Sequence, residues 1–261
     1  MIYTCYEMTR DCRAGMPEGW AYFLTNYVPA IRQFLAHYFP DRAADVLLID
    51  RVLIALHQPQ SSLFQSPEPA PERAFCAGLR QEVLAAVEAD RASAPPEIPL
   101  DLEALGAALE PLTLTEKQVV WFETMRYPAL DAGRMLRMSA ETAEKIRARA
   151  SELIRTGVDT WRSTILAGNG LLLGQAASAL STKDCLPAKT FLDVIDGRAT
   201  WRGREEMEHH VKSCWHCLDY YCRLLEVVDV LRACKPLTDS EVESYKRLLG
   251  IETPKRSFWK R

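Results

Sequence analysis

The sequence predicts an all-α protein, and three observations support this fold class. The helix formers Ala, Leu, Glu and Arg dominate the chain, whereas the alternating β-branched pattern of strands is almost absent. Prolines cluster between long stretches that lack them, as expected for helices joined by breaks. With 261 residues, 48% of them hydrophobic, the chain can form two or three modest domains.

The N-terminal part, residues 1–94, is predicted to be a helical domain with an aromatic core. Aromatic residues such as Trp20, Phe23 and Tyr27 recur at helical spacing near its start, a pattern that usually fills a core. A proline-bearing loop at 57–72 interrupts the helices. The proline cluster at 94–99 cannot continue a helix, so we expect a linker over 95–111.

Residues 112–160 are predicted to form a helix-turn-helix domain. Apolar residues from Val119 to Met125 indicate one helix, and 129–136 indicate a short second one. Ser139 is a good N-cap for a third, longer helix, and a short helix, a three-residue break and a longer helix fit the motif. Residues 112–155 carry eight Lys or Arg against six Asp or Glu, so an ordinary three-helix unit without DNA remains an alternative.

A glycine-bearing segment, 161–182, is predicted to be a flexible linker, and a metal-binding domain is expected at 183–235. Residues 205–231 contain no proline or glycine, which predicts one helix. At about 100° per residue, His210, Cys214 and Cys217 fall on one stripe of that helix. Gly197 suits a turn midway between Cys185 and His210, so an antiparallel helical hairpin brings all four side chains together.

The pattern Cys-x24-His-x3-Cys-x2-Cys predicts a structural zinc site at Cys185, His210, Cys214 and Cys217. Zinc takes four tetrahedral N and S ligands, and no general base accompanies these four residues. A set of buried free cysteines with a core histidine is the alternative. Release of zinc on thiolate oxidation is a further alternative for the site.

The chain is expected to be cytoplasmic, with no membrane partner. No stretch reaches the roughly 18 apolar residues of a membrane helix, and the N-terminal residues lack the apolar core of a secretory signal. In a reducing compartment, the eight cysteines are expected to be packed, reactive or metal-bound rather than paired in disulfides. Residues 236–261 are expected to form a basic tail.

Two parts of the chain resemble known families. The segment from Cys185 through FLDVIDG (191–197) to HVKSCWHC (210–217) resembles zinc-binding anti-sigma domains. The segments LTLTEKQVVWF and ALDAGRMLRMSAETAEKIRARASELIR resemble the promoter −35-binding domain of extracytoplasmic-function sigma factors. This resemblance implies a polymerase-binding and −10 domain at residues 1–94, and it implies DNA contacts by Thr142, Lys145, Arg147 and Arg149.

These features together predict a regulator of transcription initiation and not an enzyme. In this hypothesis, two sigma-like domains bind promoter DNA and the RNA polymerase core, and the fused zinc domain restrains them or senses a signal. The alternative is an interaction scaffold that does not bind DNA and that holds a separate sigma factor or regulator. Residues 17–97 favour this alternative, because their six arginines and ten acidic residues offer few cations for phosphates.

Overall fold

The computed structural model describes residues 3–42, 45–59, 61–65, 70–89, 102–157 and 170–251. Over these residues it contains thirteen α-helices, two short 3-10 helices and no β-strand, which confirms the all-α class. The chain divides into two compact units. The first comprises Met1–Ala94 and Val230–Arg261, and the second comprises Pro95–Asp229.

The first unit is built on α2, a long helix that packs against three others. Its helices are α1 (Cys5–Arg13), α2 (Pro17–Tyr38), α3 (Val46–His57), α4 (Glu72–Ala89) and, from the end of the chain, α13 (Asp239–Leu248). Short 3-10 helices lie at Pro40–Arg42 and Ser62–Phe64. Helix α2 contacts α1, α4 and α13, while α3 packs on α4.

Aromatic side chains fill the core of the first unit, as the sequence predicted. Trp20, Phe23, Tyr27 and Phe34 are at most 3% exposed. Trp20 and Phe23 meet edge to face, with ring centroids 5.6 Å apart. The Trp20 indole N–H donates to the Cys12 carbonyl at 3.0 Å, so this ring is part of the core and not of an exposed surface.

The predicted basic tail, 236–261, differs from the structure in its first half. Thr238 and Glu241 form a reciprocal capping box that starts α13. Arg32 in α2 pairs with Glu241 at 3.0 Å and donates to the Tyr245 hydroxyl at 3.1 Å. The sequence prediction weighed only the basic charge of this segment and missed its capping signal, whereas residues 252–261 lie outside the described part.

The second unit contains eight of the described helices, the last of which continues past its boundary. They are α5 (Leu102–Leu109), α6 (Leu114–Thr124), α7 (Ala129–Leu136), α8 (Ala140–Gly157), α9 (Gly170–Ala179), α10 (Ala188–Ile195), α11 (Trp201–Ser213) and α12 (Trp215–Ala233). Helices α6, α7 and α8 pack on one another as a three-helix set. Helix α11 packs on both α10 and α6.

The turn between α7 and α8 lies at residues 137–139, where the sequence placed it. Arg137 adopts a left-handed conformation with φ 58°, and the Met138 N–H donates to the Gly133 carbonyl at 2.8 Å. This bond and that from the Arg137 N–H to the Arg134 carbonyl are the two bonds of a Schellman motif. Gly133 permits the close approach, because a Cβ there would lie 3.0 Å from the Met138 carbonyl oxygen.

Both predicted linkers contain a helix in the structure, although residues from Asp101 onward were also predicted to be helical. Residues Leu102–Leu109 of the linker 95–111 form α5, and Gly170–Ala179 of the linker 161–182 form α9. Buried Leu105 and Leu173 explain why these segments fold, because each gains apolar contacts that local helix propensity does not reveal. Residues 95–101 and 161–169 lie outside the described part of the chain.

A buried carboxylate joins three helices of the second unit. Asp219 of α12 is 0% exposed. It accepts hydrogen bonds from the Trp121 indole of α6 and from the Ser178 hydroxyl of α9, both at 3.3 Å. The Arg223 Nε lies 2.8 Å from Asp219 Oδ2 and supplies the opposite charge. Residues 183–229 are thus integrated with the three-helix set, rather than forming the separate domain predicted at 183–235.

No helix in the described ranges combines the length and the apolarity needed to cross a bilayer. The longest described helix, α2, spans 22 residues but includes charged Glu18 and Arg32.

The buried pair predicts a large difference between two aspartate replacements in α12. Asp219→Ala leaves the guanidinium of Arg223, whose side chain is 7% exposed, without its carboxylate, so we expect a loss of about 3–5 kcal/mol in unfolding free energy. Asp229→Ala removes the more exposed pair with Arg134, at 2.7 Å, and should cost about 1 kcal/mol or less. Urea unfolding of the full chain, followed by circular dichroism, measures both. Equal urea midpoints for the two variants would contradict the prediction that the buried pair contributes more to stability than the exposed pair.

Candidate metal centre and helix-turn-helix surface

The helix predicted over 205–231 is broken at Cys214. Helix α11 ends at Ser213, and Cys214 takes an extended conformation with φ −110° and ψ 110° before α12 begins at Trp215. The Cys214 N–H still bonds to the His210 carbonyl at 3.0 Å, so only one residue leaves the helical path. The prediction of one continuous helix was wrong, because it rested on local helix propensity and on the absence of proline and glycine.

Cys185 reaches the same place from a loop. It lies before α10, and its N–H donates to the Thr182 carbonyl at 3.1 Å. Gly197, with φ 71°, stands between α10 and α11, which pack on each other. Cys185 precedes α10 and is not part of it, whereas the prediction placed it on the first helix of a hairpin.

Three thiols meet at this bend. The sulfur atoms of Cys185, Cys214 and Cys217 all lie within 4.8 Å of one another, and Cys185 Sγ is 3.9 Å from Cys214 Sγ. Tetrahedral zinc with Zn–S bonds of about 2.3 Å requires sulfur atoms about 3.8 Å apart. The three cysteines could therefore hold a metal ion, and this is the only such group among the described residues.

His210 lies against one member of this group. Its Nε2 is 3.2 Å from Cys217 Sγ. The imidazole belongs to α11 and Cys217 to the first turn of α12, so the bend at Cys214 brings the two side chains together. The structure thus gathers three of the four predicted ligands as a group and places the fourth in contact with Cys217.

Backbone N–H groups approach two of the sulfur atoms, a feature that the sequence did not predict. The Thr182 N–H donates to Cys185 Sγ at 3.3 Å, and the Leu186 N–H donates to Cys217 Sγ at 3.4 Å. Burial opposes ionisation of Cys185, but the hydrogen bonds from Thr182 lower the pKa of its thiol. Burial raises the pKa of Cys217 to about 12. Such N–H donors orient thiolates that ligate a metal.

The predicted DNA contacts lie on α8, whose solvent face is open within the second unit. Ser139 caps the helix by accepting from the Thr142 N–H at 3.1 Å. Thr142, Lys145 and Arg149 are exposed and share the outward face, at spacings of three and four residues. Arg147 is half-buried and sits beside them.

Each of the three predicted cations has an acidic partner. Lys145 Nζ lies 2.6 Å from Glu141, Arg147 Nη2 lies 2.5 Å from Glu144, and Arg149 Nη1 lies 2.8 Å from Glu116. Glu141 and Glu144 are on α8 itself, whereas Glu116 is on α6. The pairs reduce the positive potential that α8 offers to phosphates.

The residues that hold the thiol cluster are packed against the helices before it. The Trp215 ring lies 5.6 Å from the Trp121 ring, and its indole N–H donates to the Leu102 carbonyl at 3.0 Å. Lys117 Nζ donates to the Lys212 carbonyl at 2.9 Å. These contacts join residues about 100 positions apart, and no local sequence pattern indicates them.

No protein-family model, curated protein or solved structure matches this chain. The geometry of the thiol cluster and of the three-helix set is therefore the basis for proposing a function.

Proposed function

We propose that Cys185, His210, Cys214 and Cys217 hold one structural zinc ion. The supporting observation is the donor set, three thiol sulfurs within 4.8 Å of one another with an imidazole nitrogen 3.2 Å from one of them. Zinc favours such S and N ligands in tetrahedral sites, and a four-ligand protein site leaves no position for substrate. The ion would fix the bend between α11 and α12.

His210 and its neighbour His209 provide a matched test of the fourth ligand. His210→Ala should weaken zinc binding by about ten-fold or more, because even loss of a group supporting a ligand has that effect. His209→Ala should leave binding unchanged, since His209 is exposed and does not contact the thiols in the described structure. Competition with a chromogenic chelator measures the affinity, and X-ray absorption reports the ligands.

The wild-type chain should show three sulfur ligands and one nitrogen ligand, and His210→Ala should lose the nitrogen. Full helicity and full stability after removal of all metal would show that the site has no structural role. If His209→Ala had the larger effect, His210 would not be the fourth ligand.

We propose that the chain is a sigma-factor-like, DNA-binding regulator of transcription initiation. The observation that carries this proposal is the arrangement of α6, α7 and α8, with a tight turn at 137–139 and an exposed, N-capped start of α8. In helix-turn-helix proteins, the N-terminal residues of the last helix contact base edges, and nearby cations bind phosphates. Promoter DNA and core RNA polymerase are the partners in this proposal.

In this proposal the helices around the thiol cluster pack on the helix-turn-helix and support it. They do not inhibit it as a separate domain on a flexible linker. Arg134 of α7 forms a bidentate pair with Asp229 of α12, both bonds being 2.7 Å long. Tyr127, which precedes α7, donates to Glu226 at 2.8 Å. The metal would order α12, and α12 would in turn hold α7 at the angle that the turn to α8 requires.

The ion pairs on α8 favour a second candidate, an interaction scaffold that does not bind DNA. With Lys145 and Arg147 paired to glutamates of their own helix, α8 presents a nearly neutral surface. Such a surface suits a protein partner, including a separate sigma factor or regulator. The buried aromatics of the first unit point the same way, because unpaired DNA needs exposed aromatic rings.

Charge reversal on α8 separates these two functions. If α8 binds DNA, Lys145→Glu should weaken binding to a duplex selected from a random library, and the salt slope should fall by about one for each phosphate that the variant no longer neutralises. Fluorescence anisotropy over a range of salt concentrations measures both quantities. The full-length chain is used for all of these measurements.

Arg202→Glu is the matched control, because Arg202 is also exposed and pairs with a glutamate four residues away, Glu206, at 2.8 Å. Its replacement should leave DNA binding unchanged. If the wild-type chain selects no duplex from the library and shows no salt-dependent binding, the proposal of a DNA-binding regulator is wrong. The interaction scaffold then becomes the proposed function.

A further inference from the structure

A cavity of about 310 Å³ lies within the second unit, away from the thiol cluster and from the exposed face of α8. One wall comes from the start of α6 and from the turn after α7. The other wall comes from α10, α11 and α12. Its size lies at the lower end of the range for small-molecule sites.

The cavity carries an excess of positive charge from two arginines. Arg137 and Arg204 line it, together with one acid, Glu208. Arg204 Nε donates to Glu208 at 2.7 Å, and Arg137 Nη2 donates to the Ile195 carbonyl at 3.2 Å. A guanidinium has five N–H donors, so most of them are available to a ligand. The planar arrangement of these donors matches the oxygen atoms of a phosphate.

Gln118 is a polar residue with little exposed surface that lines this cavity. Its side chain belongs to α6 and is 5% exposed. Its amide atoms are not among the fully enclosed polar atoms that lack a partner in the described part, so the amide is accessible from the cavity. A group with two donors and one acceptor in this position is suited to a polar ligand.

The positive end of α6 faces the same space. Leu114 and Thr115, the first two residues of α6, line the cavity. Thr113 caps the Glu116 N–H at 3.3 Å, but the N–H groups of Leu114 and Thr115 have no partner in the described part of the chain. Free N–H groups at a helix N-terminus bind anions.

We propose that this cavity binds a phosphate monoester of a small polar molecule. Arg137, Arg204 and the start of α6 would hold the phosphate, because they are the positive groups of the cavity. Gln118 and the hydroxyl of Tyr221, which also lines the cavity, would bind the polar remainder. A ligand there would touch both the helix-turn-helix and the metal-binding part of the unit, and its binding does not require either proposed function.

Calorimetry on the full-length chain tests this site with three probes, namely glycerol 3-phosphate, ribose 5-phosphate and AMP. At least one probe should bind, and its counterpart without phosphate (glycerol, ribose or adenosine) should bind at least ten-fold more weakly. Arg204→Gln should weaken binding by about 10- to 100-fold, since it removes charge-assisted hydrogen bonds. Gln118→Met, which keeps the length of the side chain, should weaken it by a smaller factor.

Arg202→Gln is the matched control, because Arg202 lies on the same helix, also pairs with a glutamate four residues away and does not line the cavity. It should bind the probe as the wild-type chain does. Variants are compared only after thermal melting shows that they are folded. Absence of binding by all three probes at millimolar concentration would overturn the proposal. Equal affinities for Arg204→Gln and Arg202→Gln, or for the probe and its phosphate-free counterpart, would also overturn it.

Discussion

The second unit depends on one buried carboxylate, that of Asp219. A charge without solvent is stable only when it is paired and hydrogen-bonded, so the positions of Trp121, Ser178 and Arg223 around it are tightly constrained. These partners come from α6, α9 and α12. Asp219 is also only two residues from Cys217, so the same turn of α12 carries a thiol of the cluster and the centre of the polar network. An ordered thiol cluster therefore supports an ordered Asp219 network, and the reverse also holds.

The proximity of the thiol cluster to the Asp219 network explains how α10 and α11 can be stably folded with few buried apolar residues. Helices α10 and α11 together have five buried residues, namely Phe191, Leu192, Ile195, Met207 and Val211. A metal ion bound to the folded site, as proposed above, would add its binding free energy to folding and would compensate for so small a core. The other stabilising contacts, from Trp215 and Lys117, are made with helices that are distant in sequence.

Local signals in the sequence predicted much of the fold and part of the candidate site. The all-α class, the helix at 129–136 and the cap at Ser139 follow from patterns within a few residues. The spacing of the cysteines predicted that Cys185 would meet Cys214 and Cys217. The helix at Gly170–Ala179 was not predicted, because its glycines indicated a flexible linker, whereas the burial of Leu173 depends on tertiary contacts. The bend at Cys214 opposes local helix propensity, so no local pattern indicated it.

The extended conformation of Cys214 also interrupts the helical periodicity between α11 and α12. In one continuous helix, inserting a residue turns everything beyond it by about 100°. Here the chain leaves the helical path at Cys214, so the faces of α11 and α12 are not related by the rotation of one helix. The face of α11 that packs on α6 and α10 therefore does not follow from the positions of Cys217 and Asp219 by helical periodicity alone. One non-helical residue allows α11 and α12 to present faces to their neighbours that a single helix could not present together.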